Sequence, residues 1–335
     1  MNLFRTVFLR LVVDAAAVAI FLFVPSVPSF AQNTAPYPNR PITYVVPYAA
    51  GGAADAFARQ LAHELGKRLG QPVVVENRAG ANGNIGSAQV ARGTADGYTL
   101  LLGTASTIDI NPHLYGARMP YDPLKDLVPV SATHSMVNVL VVGATSSLKS
   151  VADVVTQAKL KPGSLSYASA GVGNTMHLAG EQFKTQAGID IVHVPYKGGA
   201  PALNDVLAGQ LPMMFNNLPA VVPLVKSGKL KALAVAARQR SPLLPDVPTM
   251  AEAGLANFES VVWNGVFVKT GTPAAIVNRL NREISAVLND PAVRTSLEEQ
   301  GFEVTPSTPE QFAQLIRTDF PRWGVLVKQS GATAD

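Results

Sequence analysis

The feature that most constrains this chain is an alternation. Short β-branched runs close on glycine-rich turns, and the turns open onto stretches with helical apolar spacing. Residues 42–47 form one such run, ending at Gly51-Gly52, after which Ala54, Phe57, Ala58, Leu61, Leu65 and Leu69 fall on one helical face. Strands at 73–76 and 98–102 follow, separated by the turn-rich segment 77–84 and a helix around 87–92. At residue 137 the pattern restarts, with strands at 137–142, 165–168, 191–194, 213–215 and 230–236 and helices opening near Val151, Thr175 and Gly199. A strand at 261–268 precedes a mostly helical end, where helices start near Pro273 and Pro309. This order predicts an α/β fold with largely parallel sheets, and 335 residues suffice for about two domains.

Composition excludes several classes. With 47% hydrophobic and 15% charged residues, the chain has too much apolar surface to remain unfolded. The net charge is +4 without a basic run, which argues against a nucleic-acid partner. The absence of cysteine removes thiol nucleophiles, cysteine metal sites and disulfides together. Residues 1–31 read as an export signal. Arg5 and Arg10 are followed by an apolar stretch from Leu11 to Val24, and Ser29-Phe30-Ala31 fits a small-x-small cleavage site. Asp14 interrupts that stretch, and the competing reading is an uncleaved anchor, which Pro25 and Pro28 would cut short.

Glycine turns at the ends of parallel strands expose backbone N–H groups, and the following helix adds a partial positive charge, so anions bind there without basic side chains. The chain has three: Gly51-Gly52, the loop 171–175 and Gly198-Gly199. Val46-Pro47-Tyr48 before Gly51-Gly52 is echoed by Val194-Pro195-Tyr196 before Gly198-Gly199, as two similar lobes facing one cleft would require. Enzyme signatures fail. Gly171-Val172-Gly173 lacks the third glycine of a dinucleotide loop, there is no phosphate loop or G-x-S-x-G elbow, and His63-Glu64 lacks the second histidine of a zinc protease. No cofactor and no metal is expected.

Several polar residues carry two readings each. Asp55 can cap the helix after Gly52 or meet a ligand. His177 can donate into the cleft or pack in the core, and Asn216-Asn217 can face a ligand or close a turn. Arg78 can pair with an acid or brace its loop, while Tyr48 and Tyr196 can wall a site or cover the sheet edge.

An ordered set of motifs spans residue 37 to the C-terminus. It includes Pro47-Tyr48-Ala49-Ala50-Gly51-Gly52-Ala53-Ala54-Asp55, Val75-Glu76-Asn77-Arg78-Ala79-Gly80, Ala95-Asp96-Gly97-Tyr98-Thr99-Leu100, Gly171-Val172-Gly173-Asn174-Thr175 with His177, Pro195-Tyr196-Lys197-Gly198, Pro245-Asp246-Val247-Pro248-Thr249 and Trp263. Together they resemble the Bug family (UPF0065), the periplasmic substrate-binding proteins of tripartite tricarboxylate transporters. The resemblance implies a periplasmic-binding-protein-like fold (type II, Venus-flytrap), two α/β lobes joined by crossing strands. The first lobe would comprise 37–136 plus 260–335, and the second 137–259. It also implies that main-chain N–H groups and waters hold a ligand carboxylate. The residues carried over are Tyr48, Gly51, Gly52, Ala53 and Asp55, with Thr104, Ser106 and Thr107, and from the opposite lobe Gly171, Gly173, Asn174, Thr175, His177, Gly198 and Asn216. Family members often have Asp where this chain has Asn216, so an ammonium-bearing ligand is disfavoured. The expected function is periplasmic capture of a small carboxylate (a di- or tricarboxylate or an aromatic acid), with delivery to an inner-membrane permease and a monomer as the default. The alternative is an exported α/β enzyme acting on a small organic acid.

Overall fold

The computed structural model describes residues 37–334, and the export signal read at 1–31 lies outside them. The chain opens with β1 (Ile42–Val46), α1 (Ala53–Leu69), β2 (Val73–Asn77), α2 (Asn84–Ala91) and β3 (Thr99–Thr104). Short helical turns from 106 to 126 lead to β4 (Leu127–Gly143). Then come α3 (Val151–Leu160), β5 (Ser166–Ser169), α4 (Thr175–Ala187), β6 (Val192–Pro195), α5 (Gly199–Leu207), β7 (Met213–Asn217), α6 (Leu218–Lys226) and β8 (Leu230–Val235). The last elements are β9 (Val261–Lys269), α7 (Ala274–Leu288), α8 (Pro291–Gln300), β10 (Glu303–Val304) and α9 (Pro309–Ser330).

The strands run in the order β2-β1-β3-β9-β4-β7-β5-β6, with β8 and β10 also pairing β4. The strands form two parallel groups, β2-β1-β3 and β6-β5-β7, in which β1, β5 and β6 lead into the glycine turns the sequence suggests. Between them the expectation of largely parallel sheets fails, because β3–β9, β4–β9, β4–β7, β4–β8 and β4–β10 are all antiparallel. The cause is β4. Sequence reading places a strand only at 137–142, whereas β4 runs 17 residues. It pairs β9 up to Val137 and β7 from Asn138, so one strand crosses between both groups. Pro129 and register shifts near Pro129 and His134 hide its first half, since bulges break the alternation that marks a strand.

Each group packs helices on its own core. In the first, Phe57, Leu61 and Leu65 of α1 are buried with Tyr44, Leu100 and Phe267. In the second, Tyr167, Phe183, Phe215 and Phe258 join Val139 to Val142. Helix α9 opens on a capping box at Thr308 and Gln311, and Phe312 from its first turn packs edge-on to Trp263. It continues for 22 residues to Ser330.

Candidate functional site

Where the two groups of strands face each other they enclose a cavity of about 640 Å³, counting its open mouth. Four helix N-termini converge on it: Gly52, Ala53 and Ala54 of α1; Asn174, Thr175 and Met176 of α4; Gly199 and Ala200 of α5; and Asn217 with Ala220 of α6. Three of these helices, α1, α5 and α6, have no side-chain cap, so their first N–H groups remain free for a guest. No Asp, Glu, Lys, Arg or His is among the residues lining the cavity. Its positive potential therefore comes from aligned peptide dipoles and N–H groups.

The first-half wall is built by bracing. Asp55 does not line the cavity. Its carboxylate accepts from Gly51 N at 3.0 Å, Asn77 Nδ2 at 2.9 Å and Arg59 Nε at 3.0 Å, which pins the loop before α1. Burial pulls this carboxyl upward, but Arg59, the Gly51 N–H and Asn77 outweigh it and hold it below the usual carboxylate range. Of the two sequence readings, the capping one matches this geometry. Tyr48 lines the cavity with its hydroxyl 3.0 Å from Thr104 Oγ1, and burial pushes that phenol upward. Thr104 and Ser106 also line it, whereas Thr107 is wholly buried, with its hydroxyl donating to Thr104 O and its carbonyl accepting from Tyr121.

From the opposite half, Asn174, Thr175 and Asn216 line the cavity. Asn174 Oδ1 accepts from Met176 N at 3.0 Å, while its Nδ2 reaches Ser106 Oγ across the cleft at 3.4 Å. His177 does not reach the cavity. Its Nδ1 accepts from Gly173 N at 3.0 Å, and its ring stacks on His193 at 3.8 Å, which is in turn hydrogen-bonded to Ser169. Burial, helped by Lys184, lowers His177 to about 4, so the imidazole is neutral and acts as an acceptor that shapes the glycine loop.

Gly171, Gly173 and Gly198 stand outside the cavity lining as well. A Cβ on Gly198 would lie 3.2 Å from Ala49 N, one on Gly173 would lie 2.2 Å from Leu114 Cδ2, and one on Gly171 would lie 3.5 Å from Asn82 Oδ1. These glycines are where the halves touch. The echoed loops therefore do face each other: Gly51 and Gly52 approach Ala200, and Gly198 approaches Ala49. Arg78 pairs with Glu76, and Tyr196 bonds Asp205, so neither reaches the cavity.

Sequence reasoning missed the floor. Met136 of β4, Val262, Trp263 and Asn264 of β9, and Met176 and Leu203 from the helices complete the lining. Apolar strand residues give no local sign of facing a cavity instead of a core. Asn264, alone among apolar neighbours in Val262-Trp263-Asn264-Gly265-Val266, was the available clue.

Two α/β halves sharing crossing strands and closing on a cavity lined by helix N-termini define a two-lobed solute-binding protein. Comparison with known proteins gives the particular lineage. Residues 57–332 match the family described as the tripartite tricarboxylate transporter family receptor. Protein BugT of Bordetella pertussis (strain Tohama I) is 40% identical over 301 residues, covering 88% of this chain and 91% of its own. The structure described as a periplasmic transporter shares 40% identity at a TM-score of 0.86, covering 89% of this chain and all of that one. R. palustris Rpa4515 with adipate shares 37% identity at a TM-score of 0.85, covering 89% of this chain and 99% of that one. The chain belongs to the tripartite tricarboxylate transporter receptor family, the Bug proteins.

Proposed function

We propose that this protein binds a small carboxylate in the periplasm, by closing lobes 37–136 plus 260–335 over lobe 137–259, and passes it unchanged to an inner-membrane permease. The observation that carries the reading is the cavity ringed by four helix N-termini and free of charged side chains. Such a wall stabilises anionic oxygen without presenting a cation to it. One acid group fits the first-lobe cradle of Gly52, Ala53 and Ser106. The helix starts at Thr175, Gly199 and Asn217 offer a second cradle opposite. Met136, Val262, Leu203 and Met176 between them suit a hydrocarbon body. The binding of adipate by the R. palustris relative is in keeping with such a ligand.

Capture without chemistry is favoured by the lining itself. Tyr48, Thr104, Ser106 and Thr175 carry hydroxyls, but no histidine, carboxylate or lysine lines the cavity to take a proton from them. The solute shifts the balance between open and closed forms only through its tighter fit to the closed one.

The test is calorimetric titration with adipate, malate, benzoate and aspartate, followed by mass analysis of the recovered solute. Saturable binding of at least one plain acid, with its mass unchanged, is expected. Aspartate should bind more weakly than malate, because Asn216 and the remaining lining offer no carboxylate to an ammonium. Turnover of a bound acid, or no binding by any of them, overturns the reading.

A further inference from the structure

Strand β9 is apolar almost throughout, and the one amide in it is Asn264. The residue is 2% exposed and lines the cavity, yet its Nδ2 has no hydrogen-bond partner. Buried amides in folded proteins are nearly always paired, so an unpaired one at a cavity wall calls for a reason. Structural bracing does not provide one. The main-chain oxygen of Asn264 is engaged by Thr133 Oγ1 at 3.1 Å, but the side-chain nitrogen is not. His134, opposite Asn264 on β4, also keeps an unpartnered Nε2, so the two side chains do not satisfy each other.

Register fixes what the amide stands beside. On β3 the residue directly opposite Asn264 is Thr104. Opposed residues of an antiparallel pair share a sheet face. Thr104 holds the Tyr48 hydroxyl and leads into Ser106, and all three line the cavity. Asn264 therefore adjoins the cradle made by Gly52, Ala53 and Ser106, on a strand that pairs with both β3 and the crossing strand β4.

We propose that Asn264 is a specificity-determining residue of this site: its side-chain amide donates a hydrogen bond to the carboxylate seated at the N-terminus of α1. This rests on the carboxylate-binding reading above and adds to it a residue that touches the ligand. Strand β9 then reads the same acid group that the helix dipole attracts, and a guest lacking an acceptor there leaves a buried donor unpaired.

The test compares wild type, Asn264→Leu and Asn264→Asp, titrated with whichever of adipate, malate and benzoate binds wild type most tightly. Asn264→Leu keeps the volume and removes the donor. It is expected to weaken binding about tenfold or more, while the ligand-free protein melts at the same temperature or higher, because replacing an unpaired buried amide by an apolar group removes a desolvation penalty. A brace would behave oppositely, with a lower melting temperature. Asn264→Asp should lose binding near about pH 8, where a carboxylate confronts a carboxylate, and regain part of it near about pH 6 as the buried acid protonates and can donate again. An affinity of the Asn264→Leu variant within about twofold of wild type, or a lowered melting temperature in that variant, overturns the proposal while leaving carboxylate binding intact. If wild type binds none of the acids, the underlying reading fails and this one with it.

Discussion

Asp109 is wholly buried behind the cavity loop, and both its carboxyl oxygens lack hydrogen-bond partners. Burial lifts its pKa to about 8, Asp319 adds to the lift, and the nearby Trp263 indole only partly offsets it. Three histidines, His134 and His177 buried and His193 half-buried, are displaced the other way: loss of solvent lowers His134 to about 3, His177 to about 4 and His193 to about 3. The signs separate by pH. Between about pH 4 and about pH 8 the folded Asp109 holds a proton that the unfolded chain releases, so its contribution favours folding at low pH and fades as pH rises. Below about pH 6.5 the unfolded histidines bind protons that the folded ones refuse, so their contribution is lost on acidification. From about pH 6.5 to about pH 8 only the Asp109 effect remains among these four. Denaturant melts across that window should show wild-type stability declining with pH, and Asp109→Asn should flatten the slope. An unchanged slope in the variant would assign the effect to other groups. Asp55 makes a simpler case. Asp55→Ala strips acceptors from Gly51, Asn77 and Arg59, and about 1–3 kcal/mol of stability should be lost, read by urea unfolding. Ligand affinity should fall with it as the loop before α1 loosens.

Among the elements, the helices do the work usually left to arginines. α1, α4, α5 and α6 begin at the cavity because each follows a strand of a parallel group, and such strands end on one edge. The turns between strand and helix need glycine for two separate reasons. Gly51, at φ +84°, permits a left-handed turn that puts its N–H onto Asp55. Gly198 permits close approach: at φ +150° it sits against the backbone of Ala49. Gly198→Ala should therefore disfavour closure without removing any cavity-lining atom. Its affinity for the acid that wild type binds should drop about tenfold, and X-ray scattering in saturating ligand should retain more of the wider, ligand-free form. Wild-type affinity and compaction in that variant would show that this contact is not needed for closing.

The whole molecule holds a cavity free of charged side chains inside a chain of net charge +4. Electrostatic attraction at the site comes from short-range dipoles in a cleft walled by buried residues, where salt screens little. Raising the salt from about 50 mM to about 500 mM should change the dissociation constant for adipate, or another acid that binds, by less than about threefold. A receptor relying on exposed arginines would lose far more. A steep salt dependence would relocate the capture to surface charge.

Much of this protein was legible in its residues. Alternating strand and helix signals and the glycine turns specified two α/β groups, and the echoed Gly-Gly turns did turn out to meet, Gly51 and Gly52 at Ala200 and Gly198 at Ala49. Tyr48, Gly51, Gly52, Ala53, Thr104, Ser106, Asn174, Thr175 and Asn216 all line it, while Asp55, Thr107, Gly171, Gly173, His177 and Gly198 stand one layer back or at the contact between halves. Local sequence determines these elements because turn chemistry and apolar period are properties of neighbouring residues. Only the tertiary structure decided that β4 crosses between the groups with β9 beside it, and that Asn264 and Met136 reach the same cavity from those strands. Those outcomes depend on pairings between residues more than a hundred positions apart, such as His134 with Asn264, and no local pattern carries that information.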